Sequence, residues 1–188
     1  MYLLVGLGNP DKKYETTRHN AGFMCIDYIS EKCGIKVNRA KFSALMGDGS
    51  LCGKRVVLLK PQTYMNNSGK AVSEAASFYK LPPENIIVIS DDISLDVGRL
   101  RVRRNGSHGG QRGLLSIEEC LASKNYPRIK IGVGQKPHPD YDLADWVLSS
   151  FTANELKNIT DSFDNAFEGL CKIIAGDIEG AMQICNGK

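Results

Sequence analysis

The chain has 188 residues, 42% of them apolar and 24% charged, with a net charge of +3. These are ordinary globular values for one domain spanning residues 1–188, and they argue against disorder. The longest apolar runs, 56–59 and 86–89, are strand-length and far short of a membrane span, and the N-terminus lacks the pattern of a secretory signal.

The run from Tyr2 to Leu7 reads as a strand that breaks into Gly6-Leu7-Gly8-Asn9-Pro10, a set of turn residues. The Gly-Leu-Gly opening invites a dinucleotide-binding reading, but Asp11 stands where the third glycine of that fingerprint belongs. The loop is better explained as a tight turn that places Asn9 at the carboxyl edge of a sheet, where open α/β sheets bind ligands. From Asn20 to Lys32, Phe23, Ile26, Ile29 and Cys33 recur at three- and four-residue steps, an amphipathic helix stopped by Gly34.

A hairpin is expected over 42–60, with Phe42–Leu51 and Arg55–Lys60 flanking the turn Cys52-Gly53-Lys54. The loop from Thr63 to Lys70 joins this hairpin to a helix over Ser68–Tyr79, which Ser68 can cap and Pro82-Pro83 ends. The run Ile86–Ile89 is apolar throughout, as in a strand with both faces covered. Leu100 and Val102 alternate with arginines, giving a strand with one buried and one wet face. A glycine-rich loop over 105–113 leads into a helix over Leu114–Ala122 and a strand over Arg128–Val133. The C-terminal third is helical: Thr152 to Glu155 matches a capping box, and the helical period continues to Ile174. Strands alternating with helices predict an α/β fold with a mixed, mostly parallel sheet flanked by helices on both faces.

Six cysteines lie scattered without a CxxC pair, and the expectation is reduced, mostly buried thiols rather than a disulfide frame. The three histidines show no metal-ligand spacing, so no metal site is expected. His19, at the entrance of the first helix, fits either a helix cap or a general base, since imidazole titrates near pH 6.5. Ser90-Asp91-Asp92 follows a buried strand, so its carboxylates belong at the sheet's carboxyl edge. Side chains alternate there, so only one of the pair can orient the histidine; the pair also suits a solvated turn or a helix cap. The amides of the Thr63–Lys70 loop fit turn formation or the binding of a substrate carbonyl. The glycine loop lacks the Lys-Ser/Thr ending of a P-loop but suits close approach of a phosphate. Beside it stand Arg99, Arg101, Arg103 and Arg104, four arginines in six residues, which fit an RNA backbone or a solvated strand face.

Taken together, these segments resemble the bacterial-type peptidyl-tRNA hydrolases along nearly the whole chain. The likeness rests on Val5-Gly6-Leu7-Gly8-Asn9-Pro10, Tyr14, Thr17-Arg18-His19-Asn20-Ala21-Gly22, Thr63-Tyr64-Met65-Asn66 and Ser68-Gly69-Lys70. It continues in Asp91-Asp92, Leu95-Asp96, Gly109-Gly110 and Ile131-Gly132-Val133-Gly134. The resemblance implies a monomeric, cofactor-free esterase with tRNA as partner, acting in the cytoplasm away from membranes. It implies His19 as catalytic histidine, Asp91 as its partner, and Asn9, Tyr14, Asn20, Met65 and Asn66 as substrate contacts. It places Arg103 and Lys130 on the tRNA 5′-phosphate, their residue types swapped relative to a common form, with Arg101 beside them.

One position departs from the family pattern. Where many relatives have Gly-His-Asn-Gly, this chain has Gly110-Gln111-Arg112-Gly113, so the asparagine's water-positioning role is not carried over. Arg112 is assigned instead to tRNA phosphate, against the alternative of a side chain in open solvent. Two rival functions stand beside the esterase: a non-catalytic RNA-binding protein on the same fold, and a nucleotide-dependent α/β enzyme.

Overall fold

In the computed structural model, residues 1–187 are described; Lys188, the last residue of the expected domain, lies outside them. Among the described residues seven strands form one sheet in the order β2-β3-β4-β1-β5-β7-β6. They are β1 (Tyr2–Gly6), β2 (Arg39–Lys41), β3 (Ala44–Leu51), β4 (Lys54–Pro61), β5 (Ile86–Asp92), β6 (Leu100–Arg103) and β7 (Arg128–Gly132). The central four, β4, β1, β5 and β7, run parallel, and β2, β3 and β6 add antiparallel edges. The helices are α1 (Ala21–Cys33), α2 (Ser68–Tyr79), α3 (Arg112–Leu121), α4 (Leu143–Val147), α5 (Ala153–Ile174) and α6 (Ile178–Asn186). The result is the expected α/β architecture. Among the described residues no helix is long and apolar enough to cross a membrane.

Strand alternation divides the core in two. On one face Leu4, Leu58, Ile87, Ile89, Val102, Ile129 and Ile131 pack against α1, α5 and α6. On the other Leu3, Val5, Val57, Leu59, Ile86 and Val88 pack against α2 and α3. The central strands are apolar on both sides because helices cover both, as the runs 56–59 and 86–89 had suggested.

Several boundaries differ from the sequence expectation. The strand at Ile86 runs on through Asp92, so both aspartates are strand residues rather than parts of a turn. The hairpin turn is only Cys52-Gly53, both at positive φ (49° and 73°), which leaves Lys54 as the first residue of β4. Asn67 occupies the N-cap of α2 without a side-chain bond, while the Ser68 hydroxyl donates backward to the Met65 carbonyl (2.9 Å). The helix ends at Lys80 in a left-handed turn (φ 53°), before the prolines are reached. Its last carbonyls are satisfied by Lys80 and Leu81, and the prolines merely prevent resumption. The Thr152–Glu155 capping box is present in both directions.

The cysteine expectation fails at two positions. Cys52 and Cys171 are joined in a disulfide across 119 residues, with Cα atoms 5.9 Å apart. Spacing along the chain hid this, because the pair forms only where the β3–β4 turn folds back onto α5. The other four cysteines are free.

Two glycines set how closely α1 approaches the sheet. A Cβ on Gly22 would overlap the Ile89 carbonyl and the amide and carbonyl of Leu7. One on Gly6 would overlap Gly22 in turn. Close contact at this point brings the first residues of α1, and the turn before them, onto the carboxyl ends of β1 and β5. Gly22→Ala should therefore cost about 1–3 kcal/mol, since backbone rather than a flexible side chain must give way. A thermal unfolding midpoint lowered by roughly 2–4 °C per kcal/mol is expected, and an unchanged midpoint would contradict this packing.

Candidate active site

The residues just before α1 form a 3-10 turn, Arg18–Asn20, which holds His19 over the carboxyl end of β5. On β5, odd-numbered side chains face α1 and even-numbered ones face α2 and α3, so Asp91 and Asp92 part company. Asp91 turns toward His19, with its Oδ2 2.9 Å from His19 Nδ1. Asp92 turns the other way and pairs with Lys130 on β7 at 3.2 Å.

The His19–Asp91 pair fixes a chemical polarity. Nδ1 donates to the carboxylate, which leaves Nε2 of the neutral ring with a free lone pair. The side chain of His19 is 13% exposed and that of Asp91 3%. Burial pulls the His19 pKa down, but the charge of Asp91 and its hydrogen bond outweigh this, and the net shift is upward from 6.5. Asp92 is held below its ordinary value: burial raises it, and the Ser94 hydroxyl and amide with Lys130 more than compensate.

His19 and Asp91 open onto a cleft of about 580 Å³. Its lining includes Asn9, Met65, Asn66, Arg112 and Lys130, as the sequence had suggested. Asn9 is buried, and its Oδ1 accepts from the Met65 amide at 2.9 Å. That bond decides which way the carboxamide points and leaves its NH2 group available to the cleft. Asn66 is exposed on the rim, in a 3-10 turn (Met65–Asn67) that follows Tyr64 at a positive φ of 58°.

Two expected substrate contacts are placed elsewhere. Asn20 is 2% exposed, and both ends of its amide are engaged: Oδ1 accepts from the Asn9 amide (2.9 Å) and Nδ2 donates to the Asn9 carbonyl (3.0 Å). It shapes the Asn9 loop and does not line the cleft. Tyr14 is also absent from the lining, and the tyrosine present there is Tyr64, whose hydroxyl donates to Asp11.

The arginine run divides by the same alternation. Arg101 and Arg103 share a strand face with their cross-strand partners Lys130 and Arg128. Arg104 points to the opposite face and pairs with Glu179 of α6 at 2.8 Å. Arg128 is buried and donates to the carbonyls of Ser107 and Lys124, tying the glycine loop to the sheet. Lys130, Arg101 and Arg103 thus form a cationic strip leading away from the cleft. Arg112 is exposed at the start of α3, on the cleft wall.

Three features escaped the sequence. Helix α4 and its C-cap supply an apolar wall from Leu143, Ala144, Val147 and Leu148, a segment too short for periodicity to reveal. Arg18, buried beside the histidine, donates to Ser149, the Val133 carbonyl and both oxygens of Glu155, and stacks 3.7 Å from the Trp146 ring. Gln111 donates to Asp91; its place before a helix was the available signal, although glutamine is an uncommon cap. Cys25, the thiol on the helix next to His19, is fully buried, with a pKa pushed up to about 12 by burial and by Cys185. It cannot serve as a thiolate nucleophile near neutral pH. Among the described residues no three His, Cys, Asp or Glu side chains cluster for a metal.

Known proteins resemble the chain along its whole length. Residues 3–188 match the family profile described as peptidyl-tRNA hydrolase. The chain is 51% identical over 187 residues to the peptidyl-tRNA hydrolase of Caldanaerobacter subterraneus subsp. tengcongensis, covering all of both chains. It is 50% identical to that of a Clostridium botulinum strain, covering all of this chain and 96% of the other. The crystal structure of peptidyl-tRNA hydrolase from Acinetobacter baumannii superposes with a TM-score of 0.93 at 34% identity, over 99% of this chain and 94% of that one. Matched from end to end in sequence and in fold, the chain belongs to the peptidyl-tRNA hydrolase family.

Proposed function

We propose that this chain hydrolyses the ester joining a peptide to the terminal ribose of tRNA, with His19 as general base and Asp91 as its partner. The observation that carries this reading is the 2.9 Å His19–Asp91 pair, which lines a cleft shared with the amides of Asn9 and Asn66 and the cations Arg112 and Lys130. A water held by His19 Nε2 attacks the ester carbonyl as its proton passes to the ring. Asp91 stabilises the imidazolium. Collapse of the tetrahedral intermediate breaks the bond to the ribose oxygen, which takes the proton from His19. Donors at Asn9 and Asn66 suit the carbonyl oxygens of the peptide, and an amide near the developing oxyanion would supply about 2.7–4 kcal/mol. The strip formed by Lys130, Arg101 and Arg103, with Arg112 on the cleft wall, suits phosphates of the tRNA. The same reading takes the protein as a monomer in the cytoplasm.

The pairing of His19 with Asp91 disfavours the non-catalytic RNA-binding alternative, which has no use for an oriented base. The nucleotide-dependent alternative lacks both a third glycine and a P-loop lysine. Release of peptide from N-acylated aminoacyl-tRNA, without added metal or nucleotide, separates the three.

In that assay His19→Ala should lower turnover by about 10²-fold or more with an unchanged circular dichroism spectrum. Near-normal hydrolysis by this variant would refute the mechanism. The pH profile tests the partner. Because the His19 pKa is raised, the acidic limb of kcat/KM should lie above pH 6.5, and below it the base is protonated and idle. Asp91→Asn removes both raising influences and leaves burial, so the limb should move to lower pH while kcat falls. A limb that stays in place would show that Asp91 does not act on His19.

Arg103→Ala and Lys130→Ala should raise KM for peptidyl-tRNA and flatten its salt dependence, with little effect on a minimal substrate lacking the tRNA body. The Lys130 variant should be the more damaging, since it leaves Asp92 facing the phosphate. Equal losses on both substrates would point to roles in folding or chemistry. Arg112→Ala should weaken tRNA binding by an amount that shrinks at high salt, and a salt-insensitive affinity would place that side chain in open solvent.

A further inference from the structure

An aspartate that orients a histidine needs its own orientation fixed, because a carboxylate can turn about its final bond. In this site only one oxygen of Asp91 is held by His19. The other, Oδ1, accepts from Gln111 Nε2 at 2.9 Å. Gln111 is the N-cap of α3, and its Oε1 accepts from the Leu114 amide at 2.8 Å. The two halves of one carboxamide therefore do different jobs, and neither can be exchanged. Reversed, the amide would set oxygen against carboxylate and NH2 against an N–H donor. The backbone adds a further restraint, since the Gln111 amide donates to the His108 carbonyl at 3.1 Å.

Resting on the reading of His19 as base, we propose that Gln111 is a positioning residue for the hydrolysis: it clamps Asp91 so that Oδ2 faces His19 Nδ1. The geometry makes a relay of fixed parts, from the first turn of α3 through Gln111 and Asp91 to His19. The helix contributes more than rigidity. Its N-terminal end carries partial positive charge from unpaired N–H groups, and Gln111, which caps that end, is also the side chain bonded to Asp91. The other charged or titratable side chains that line the cleft are Asp92, paired with Lys130 at 3.2 Å; Arg112, exposed; Tyr64, whose hydroxyl donates to Asp11; Asp142, which caps α4; and His108, whose Nδ1 accepts from the Gly110 amide at 3.0 Å. None of them makes a hydrogen bond to Asp91, so the glutamine's hold on Oδ1 is not duplicated by a neighbouring charge.

The test must separate the clamp from the helix cap, since one side chain supplies both. Gln111→Ser keeps a good N-cap and is too short to reach Asp91. It should retain the parent unfolding midpoint and the parent KM for peptidyl-tRNA, while kcat falls about tenfold or more, the scale of one lost hydrogen bond to a charged group. Gln111→His again offers a donor and an acceptor on one planar group and should recover most of that loss. Parent kcat in Gln111→Ser, or a fall in kcat matched by a fall in midpoint, overturns the proposal. His19→Ala is measured alongside. A dead His19 variant beside a fully active Gln111→Ser overturns the clamp alone, whereas an active His19 variant removes the base on which the clamp rests.

Discussion

Everything at this site follows from the way side chains alternate along β5. Two consecutive aspartates at the end of one buried strand must face opposite sides of the sheet. One meets the turn before α1 and becomes the partner of a histidine. The other meets β7 and becomes the partner of a lysine. Like charges in adjacent positions are thereby turned apart, and each is given its own cation or donor. A single-residue slip in the β5 register would exchange the two roles and place the wrong carboxylate under His19. The register is held against such a slip by β1 on one side and β7 on the other, both buried and both parallel to it.

The same rule divides the cationic face from the core. Leu100, Val102, Ile129 and Ile131 go to the face covered by α5 and α6, so Arg101, Arg103, Arg128 and Lys130 go to the other. Among these, burial sorts the roles. Arg128 is engaged by the carbonyls of Ser107 in the glycine loop and Lys124 after α3, and Arg101, Arg103 and Lys130 are left more accessible. A count of arginines in the sequence treats all as equal, but only position on the strand and depth distinguish them.

Much of the fold and the centre of the site could be read from the chain itself, for physical reasons that are local. Period-2 and period-3.6 patterns marked the buried strands and most helices, and alternation required that one aspartate alone could serve His19. What was hidden depended on the third dimension. Asn20 and Asn9 are both asparagines beside turns, and nothing in the sequence tells which amide is consumed internally and which faces the cleft. The Cys52–Cys171 link joins segments that meet only after the hairpin folds onto α5. Tyr14 is the expected cleft aromatic, and only the folded chain puts Tyr64 on the wall in its place. Helix α4 is too short, and its lining residues too small a set, to announce a surface.

The buried guanidinium of Arg18 ties the turn that carries His19 to Val133 after β7, to Ser149 after α4, and to Glu155 in the first turn of α5. The backbone repeats the tie, with Arg18 and Phe151 bonding across to Ser149 and Thr16. The N-terminal turn and the C-terminal helices therefore belong to one cooperative unit, although more than a hundred residues separate them in the chain. Local fraying at the turn that carries His19 is suppressed, because opening it means undocking the start of α5 as well. Amide protons around His19 should exchange with solvent as slowly as those of the central strands, although the turn sits at the edge of an open cleft.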